Sequence, residues 1–345
     1  MGLNIREIVS RKEIGFSDLK GKIVCVDAFN TLYQFLSTIR QADGTPLQDE
    51  EGRITSHLSG ILYRNVALLV EGAKLVYVFD GEPPKLKGKI HKKRGEARDI
   101  AKERYEEAKK KEDLEVMKRY SSQLVRLDDE IIAESKELLE ALGVCVIQAP
   151  SEGEAQAAYL SKQNGVYATI SQDYDSLIFG APVLIRNLTV SRKKKTYSGY
   201  IEVLPEKIIL ADFLDELGIN QDQLICLAIL VGTDYNPKGI PMIGQKKALK
   251  IVKEFVTPDE IFESMKEKMD ALEDEDQFNW RAIFSLFCAP RVDDLEIKFP
   301  ELNFEKIKEI LVERHGFAEE RIDRQIEKLE GLLKAKNQKS LERWF

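Results

Sequence analysis

In the stretch "APSEGEAQAAYL" (149–160) two glutamates, Glu152 and Glu154, stand one residue apart between the apolar run "VCVIQ" and an Ala-rich, helix-prone segment. Local chemistry accounts for one of them. Ser151 as a helix N-cap with Glu154 three residues on makes a capping box, and negative charge is favoured in a first helical turn. Glu152 is left without a role. Acids recur wherever an apolar run ends: Asp27 closes "KIVCVD", Asp80 closes "KLVYVFD", and Asp173 and Asp175 follow "YATIS". A seventh, Asp234, follows "LICLAILVGT". In a parallel sheet the C-terminal strand ends share one edge, and ligands bind in the crevice beyond it. Four strands therefore bring six carboxylates to one rim.

Holding so many like charges together is costly unless cations neutralise them. Mg²⁺ keeps several of its waters and takes few protein ligands, so seven carboxylates exceed what one ion needs. Two ions roughly 3.5–4 Å apart, the arrangement that hydrolyses phosphodiesters, suit the set. The E-x-E and D-x-D spacings fit extended or turn backbone, where residues two apart point the same way. The three histidines, at 57, 91 and 315, have no ligand-like spacing. The four cysteines (Cys25, Cys145, Cys226, Cys288) form no C-x-x-C pair and read as reduced thiols, three of them in apolar runs. A metal here is held by oxygen, which points to Mg²⁺ or Mn²⁺.

The elements that must position these acids are legible in the pattern. Val- and Ile-rich runs at 22–27, 74–80, 144–148, 167–173 and 182–188 alternate with helical segments, which predicts a mostly parallel α/β sheet flanked by helices. Residues 85–142, after "PP", are a charged helical insertion. Residues 190–203 predict a hairpin with a basic tip, and from about 205 the pattern is helical, broken by "GTDYNPKGIPMIGQ". The chain of 345 residues is 43% hydrophobic, enough for one large domain or two ordinary ones. No apolar run approaches the roughly 18 residues of a membrane span. The charged N-terminus lacks a signal-peptide core. Net charge is −7, but residues 85–111 carry a local +7 and the remainder −14. One electropositive segment is set against an acidic body.

"VFDGEPPKLK" (78–87), "APSEGEAQAAYL", "SQDYDSLIFGAPVLIRNLT" (171–189) and "VGTDYN" (231–236) together resemble the flap endonucleases of the structure-specific 5′ nuclease superfamily. The resemblance covers the whole chain and implies the PIN-like 5′ nuclease fold with a helical arch insertion. It matches Asp27, Asp80, Glu152, Glu154, Asp173, Asp175 and Asp234 to the family's metal carboxylates, and Lys87 and Arg94 to the basic residues that engage the scissile phosphate. Arg98 shares their helical face, at i, i+7, i+11. Tyr33 matches an aromatic that stacks on a base near the cut, and Arg40 and Arg64 match duplex contacts. "GIPMIGQKKALKIV" is similar to the family's DNA-binding helix–turn–helix element, whose backbone holds K⁺, with Lys246, Lys247 and Lys250 in reach of phosphates. Here the usual "GIGP" appears as "MIGQ". If the position of Met242 needs φ > 0, methionine is strained there, which weighs against K⁺.

The resemblance divides the chain into an N-terminal nuclease region (1–99), the arch (85–142), an internal nuclease region (116–257) containing the helix–turn–helix (232–253), a C-terminal helical region (258–336) and a tail (337–345). In the tail, Gln338, Leu341, Trp344 and Phe345 resemble the motif that docks replication proteins on the DNA sliding clamp, a 3₁₀-like turn gathering the apolar side chains on one side. The implied reaction is Mg²⁺-dependent hydrolysis, endonucleolytic and 5′–3′ exonucleolytic, of branched DNA where a 5′ single strand leaves a duplex, in Okazaki-fragment processing and repair. A tail without the basic extension of eukaryotic members suggests an archaeal source and hence a cytoplasmic, nucleoid-associated enzyme; a eukaryotic one would be nuclear. A metal-dependent phosphatase would place its aspartate pair after the first strand and has no need of a basic arch. A clamp-bound DNA scaffold would not need seven carboxylates.

Overall fold

The computed structural model describes residues 3 and 5–341, apart from residues 42, 112, 164, 190–192, 197, 198 and 275. Its centre is a seven-stranded sheet: β1 (Lys12–Glu13), β2 (Ile23–Asp27), β3 (Lys74–Phe79), β4 (Cys145–Gln148), β5 (Val166–Ile170), β6 (Val183–Arg186) and β9 (Glu206–Ile209) in the order β1-β9-β6-β5-β2-β3-β4. The hairpin expected at 190–203 forms separately as β7 (Lys193–Thr196) and β8 (Gly199–Glu202), its turn at 197 and 198 lying outside the described residues. From β6 to β4 every pairing is parallel. The expectation of helix from about 205 is corrected by β9, which pairs antiparallel with β6 and β1. Four residues, "EKII", run straight into a helix; their strand state is set by the neighbours on either side, which no local pattern reports.

Period-2 alternation explains how the sheet is buried on both faces. Val24 and Val26 of β2 and Leu75, Tyr77 and Phe79 of β3 pack into one core, with Cys25, Val76, Val78, Cys145 and Ile147 in another on the opposite face. The first face is covered by α1 (Ala28–Thr38), α2 (Ser56–Val70) and, beyond α3 (Gly88–Lys110) and α4 (Leu114–Ser121), by α5 (Asp129–Ala141), whose Leu138 and Leu139 are buried there. The opposite face is covered by α6 (Gly153–Ser161) and by an extended strap at 290–303 that contributes Leu295 and Ile297. Gln156 fixes the strap, donating to the Asp293 carbonyl at 2.8 Å and accepting from its N–H at 2.9 Å. A third core surrounds α9 (Gln221–Val231), apolar on every side, within α7 (Asp175–Ile178), α8 (Leu210–Leu217), α10 (Gln245–Glu254), α11 (Pro258–Ser264), α12 (Lys266–Asp270) and α13 (Trp280–Cys288). Cys25, Cys145 and Cys226 are buried thiols and Cys288 is exposed.

The C-terminal helices, α14 (Phe304–Lys308) and α15 (Glu319–Leu341), return to the first face, joined by a π-helical turn at Glu309–Arg314. Polar groups lock them there. His315 sits between Asp49, at 2.9 Å, and Glu134, at 2.8 Å. Arg53 holds Asp49 at 2.8 Å, and Arg314 binds Glu137 through both terminal nitrogens. Burial works against the Asp49 carboxylate, yet bonds from His315 and Arg53 hold its pKa down at about 2.

Between α9 and α10 the chain takes one strained step. Met242 has φ +63° and is 84% exposed, so no packing offsets a left-handed backbone that an L-residue with a Cβ adopts at a cost of about 1–2 kcal/mol. The strain foreseen for methionine at this position is present. Met242→Gly is expected to stabilise the protein by about 1 kcal/mol in urea unfolding. An unchanged or lowered midpoint would show that the backbone is not under load there.

Candidate active site

Strands β2, β3 and β4 succeed one another in one direction across the sheet, whereas β5 and β6 lie on the other side of β2. The chain therefore reverses between β2 and β5, and a crevice opens at such a switch point beyond the strand ends. The six strand-end acids lie on this rim. Asp27 ends β2 and N-caps α1, its carboxylate accepting from the Asn30 N–H at 3.0 Å. Asp80 follows β3 and accepts from the Gly153 N–H at 2.7 Å. Asp173 lies in the turn after β5, and Asp175 opens α7 while accepting from the Leu3 N–H at 2.8 Å.

The capping box read at Ser151 is corrected. α6 starts at Gly153 with Glu152 at the N-cap, no side chain caps it, and the Ser151 hydroxyl instead donates to the Glu82 carbonyl at 3.0 Å. Glycine between the two glutamates is required by a close approach: a Cβ on Gly153 would lie 2.7 Å from Asp80 Oδ1 and 3.0 Å from the Val78 carbonyl. Glu152 and Glu154 thus flank a residue whose N–H holds Asp80.

Neutral and cationic groups stitch the acids together. Asn30 Nδ2 donates to Asp173 Oδ2 at 2.7 Å. The Ser171 hydroxyl lies 3.4 Å from Asp27 Oδ2 and 3.2 Å from Glu154 Oε1. Tyr235 donates its hydroxyl to Glu152, and the Lys87 ammonium pairs with the other Glu152 oxygen while lying 4.0 Å from Asp234. Asn30, Ser171 and Tyr235 were not singled out from the sequence. Their one signal was adjacency: each is within three residues of a rim aspartate.

The electrostatics follow from burial and crowding. Burial, then Asp80 and Asp173, push Asp27 up to about 7. Burial, then Asp173 and Asp234, push Asp175 up to about 7 against the Leu3 hydrogen bond. Glu154 is raised well above the carboxylate range by burial, with Asp175 and Asp27 adding. Asp80 and Glu152 are raised too, chiefly by burial, although the Gly153 N–H and Lys87 respectively oppose it. Burial would lower the Lys87 ammonium; Glu152, Asp234 and Asp80 outweigh it and raise it. One lysine does not balance the set. Among the described residues no three His, Cys, Asp or Glu side chains are gathered closely enough to hold a metal ion as they stand. The donor chemistry nonetheless fits divalent ions: hard oxygens only, buried, mutually repelling and short of positive charge.

The remaining sequence-predicted residues are more dispersed. Tyr33, on α1, is 41% exposed and so is not core packing. The Arg40 guanidinium is tied to two carbonyls, Leu36 at 2.9 Å and Gly44 at 2.6 Å, which closes the end of α1. Arg64 is half-buried on α2. Arg94 and Arg98 lie on α3, with side chains outside the described residues. Lys246, Lys247 and Lys250 are exposed on α10, Lys246 3.3 Å from Glu7 and Lys247 donating to the Met242 carbonyl at 3.2 Å. Gln338 and Leu341 belong to the last turns of α15; Trp344 and Phe345, and with them the 3₁₀-like turn expected to gather the apolar side chains, lie outside the described residues.

Residues 3–101 match the XPG N-terminal domain and residues 143–234 the XPG I-region. The chain is 49% identical over its whole length to flap endonuclease 1 of Thermococcus onnurineus, covering 99% of that protein, and 47% identical to that of Pyrococcus furiosus with the same coverage. It belongs to the flap endonuclease 1 family. The solved flap endonuclease-1 from Methanococcus jannaschii superposes with a TM-score of 0.74 at 38% identity, covering 97% of this chain and 100% of that one. The catalytic core of Rad2 in complex with DNA substrate, at 22% identity and a TM-score of 0.69, shares the fold. The protein is therefore a nuclease, a DNA-directed hydrolase of a generally metal-dependent family. No described helix is long and apolar enough to cross a membrane.

The raised carboxylates carry a sign that stability measurements can read. A carboxyl whose folded pKa exceeds its unfolded value favours folding at low pH, and that contribution is lost as pH rises, here between about 4 and 7. In EDTA at pH 8, Asp175→Asn is expected to be more stable than wild type by on the order of 4 kcal/mol, with the advantage vanishing near pH 4. Mg²⁺ should close the gap at pH 8 by stabilising wild type alone. A variant equal to or weaker than wild type in EDTA at pH 8 would show that the rim is not under electrostatic load.

Proposed function

We propose that this flap endonuclease cleaves branched DNA where a 5′ single strand leaves a duplex, in replication and repair, with 5′–3′ exonuclease action on the same site. The observation that carries this reading is the rim of buried, mutually repelling carboxylates at the sheet's switch point, with Lys87 inside it. Asp27, Asp80, Glu152, Glu154, Asp173, Asp175 and Asp234 would hold two Mg²⁺, with Mn²⁺ able to substitute. Bound there, such ions would supply a nucleophile at neutral pH and charge stabilisation for the in-line displacement.

The chain's own side chains do the rest. Lys87, anchored beside Glu152 and Asp234, presents a cation to the scissile phosphate, and Arg94, seven residues on along α3, adds a second. Helices α3 and α4 serve as the arch that guides the single strand, drawing on the basic run of 85–111. Tyr33 offers an exposed ring for base stacking. Lys246, Lys247 and Lys250 beside the uncapped start of α10, with Arg40, Arg64 and Arg98, contact duplex phosphates. K⁺ at the turn before α10 would have to be held by a loop carrying the strained Met242. Gln338, Leu341, Trp344 and Phe345 dock the sliding clamp, the two aromatics serving as anchors. An archaeal cytoplasm fits this source and partner.

A labelled 5′-flap duplex with Mg²⁺ or EDTA tests the reaction. Asp175→Ala should abolish cleavage while holding flap affinity within about tenfold, and Lys87→Ala should slow single-turnover cleavage by roughly 10²-fold. Near wild-type cutting by Asp175→Ala would rule out the metal assignment, and full rescue of Lys87→Ala at saturating enzyme would reduce Lys87 to a binding contact.

Deleting residues 338–345 should leave cleavage of a bare flap unchanged and remove stimulation by the clamp. Calorimetric titration of the tail peptide into clamp from the same organism checks the contact directly. No binding at micromolar peptide, or a truncated enzyme still fully stimulated, would refute it.

A further inference from the structure

The seam between β2 and β5 carries a residue that no rim carboxylate can replace. Pairing across it is irregular, with a register shift between Ile23 and Val24. The turn that bears Asp173 lies beyond the end of β5, so the sheet alone does not set the spacing of Asp27 and Asp173. Asn30 spans the gap. Its backbone N–H, fixed by the first turn of α1, donates to Asp27 Oδ1 at 3.0 Å. Its side-chain Nδ2 donates to Asp173 Oδ2 at 2.7 Å, and its Oδ1 accepts from the Gln172 N–H at 3.2 Å.

The chemistry selects an amide. The partner on one side is a carboxylate, which accepts, and on the other a backbone N–H, which donates; the assignment of oxygen and nitrogen is fixed by these partners, since exchanging them would set donor against donor. Aspartate could not donate to Asp173 and would add another negative charge to the rim. Serine is too short to serve both partners at once. Only a neutral group that both donates and accepts fits.

We infer that Asn30 is a positioning residue that sets the separation of Asp27 and Asp173, and through it the affinity of the site for divalent ions. The inference rests on the carboxylate reading of the rim. Groups that orient metal-binding carboxylates typically change metal affinity or activity by about 10–100-fold when removed.

The test is Mn²⁺ titration of the full-length protein, followed by the loss of the free-ion paramagnetic resonance signal, for wild type, Asn30→Ala and Asp175→Asn. Asn30→Ala keeps the backbone bond to Asp27 and loses both side-chain bonds. It is expected to bind Mn²⁺ about 10–100-fold more weakly, to bind flap DNA without metal as wild type does, and to recover most of its single-turnover rate as Mn²⁺ is raised. A merely structural defect would not be rescued by ion concentration. Should the alanine variant fail to fold, Asn30→Ser is measured in the same way. If wild type and Asp175→Asn bind Mn²⁺ alike, the carboxylate reading itself is wrong. If wild type binds, Asp175→Asn does not, and Asn30→Ala matches wild type, the role of Asn30 is overturned.

Discussion

The structure depends on keeping carboxylates that repel one another inside one crevice. Asp27 and Asp175 are buried, Glu154 is raised well above its ordinary range, and each is pushed there by burial first and by its neighbours second. Such a cluster does not form because it is favourable. It forms because rigid elements, stable for other reasons, end at the same place. The strands beneath it are apolar on both faces and sealed by helices and the strap, so their C-terminal ends cannot spread to relieve the repulsion. Stability in the body is spent on strain at the rim, the usual relation between a fold and its functional site.

Around this constraint the other polar contacts fall into place. Each of the six strand-end acids is held by something that is not another acid: backbone N–H groups at Asp27, Asp80 and Asp175, an amide at Asp173, hydroxyls at Glu152 and Glu154. These donors stabilise the ionised forms without neutralising them, so the crevice stays negative and offers the hard oxygen donors that suit small hard cations. Among the described residues, Lys87 is the cation paired with these acids. Placed at the foot of α3, it links the acidic rim to the basic helix that follows.

The sheet and most of its rim were legible because both write a strong local signal. Val- and Ile-rich runs mark parallel strands, and the acids that follow four of them mark their C-terminal edges; the five runs became β2 to β6 with boundaries shifted by a few residues at most. What stayed hidden was set by partners distant in sequence. β9 and β1 exist because each lies beside an edge already formed. Asn30 and Tyr235 are ordinary residues in sequence, and only the 143- and 83-residue jumps to Asp173 and Glu152 give them a role. The capping reading at Ser151 failed for the opposite reason: a sufficient local account was displaced by a long-range one, in which Glu152 takes the N-cap position and keeps its carboxylate for Lys87 and Tyr235.

Charge distribution closes the connection between the rim and its substrate. A body carrying −14 outside residues 85–111 would repel a phosphate backbone from the rim, and the +7 of that segment could draw DNA toward α3. Cations at the rim alter the balance locally, turning the most repulsive surface into one that a phosphate can enter. On the proposed reading, ion binding and productive DNA placement are therefore coupled, because each lowers the electrostatic cost of the other. The basic helix can capture a strand without divalent ions, whereas bringing a phosphodiester against Asp27, Asp80 and Asp175 requires them. On the same reading, the carboxylate crowding that burdens the isolated fold would keep the site inert toward DNA until cations are bound.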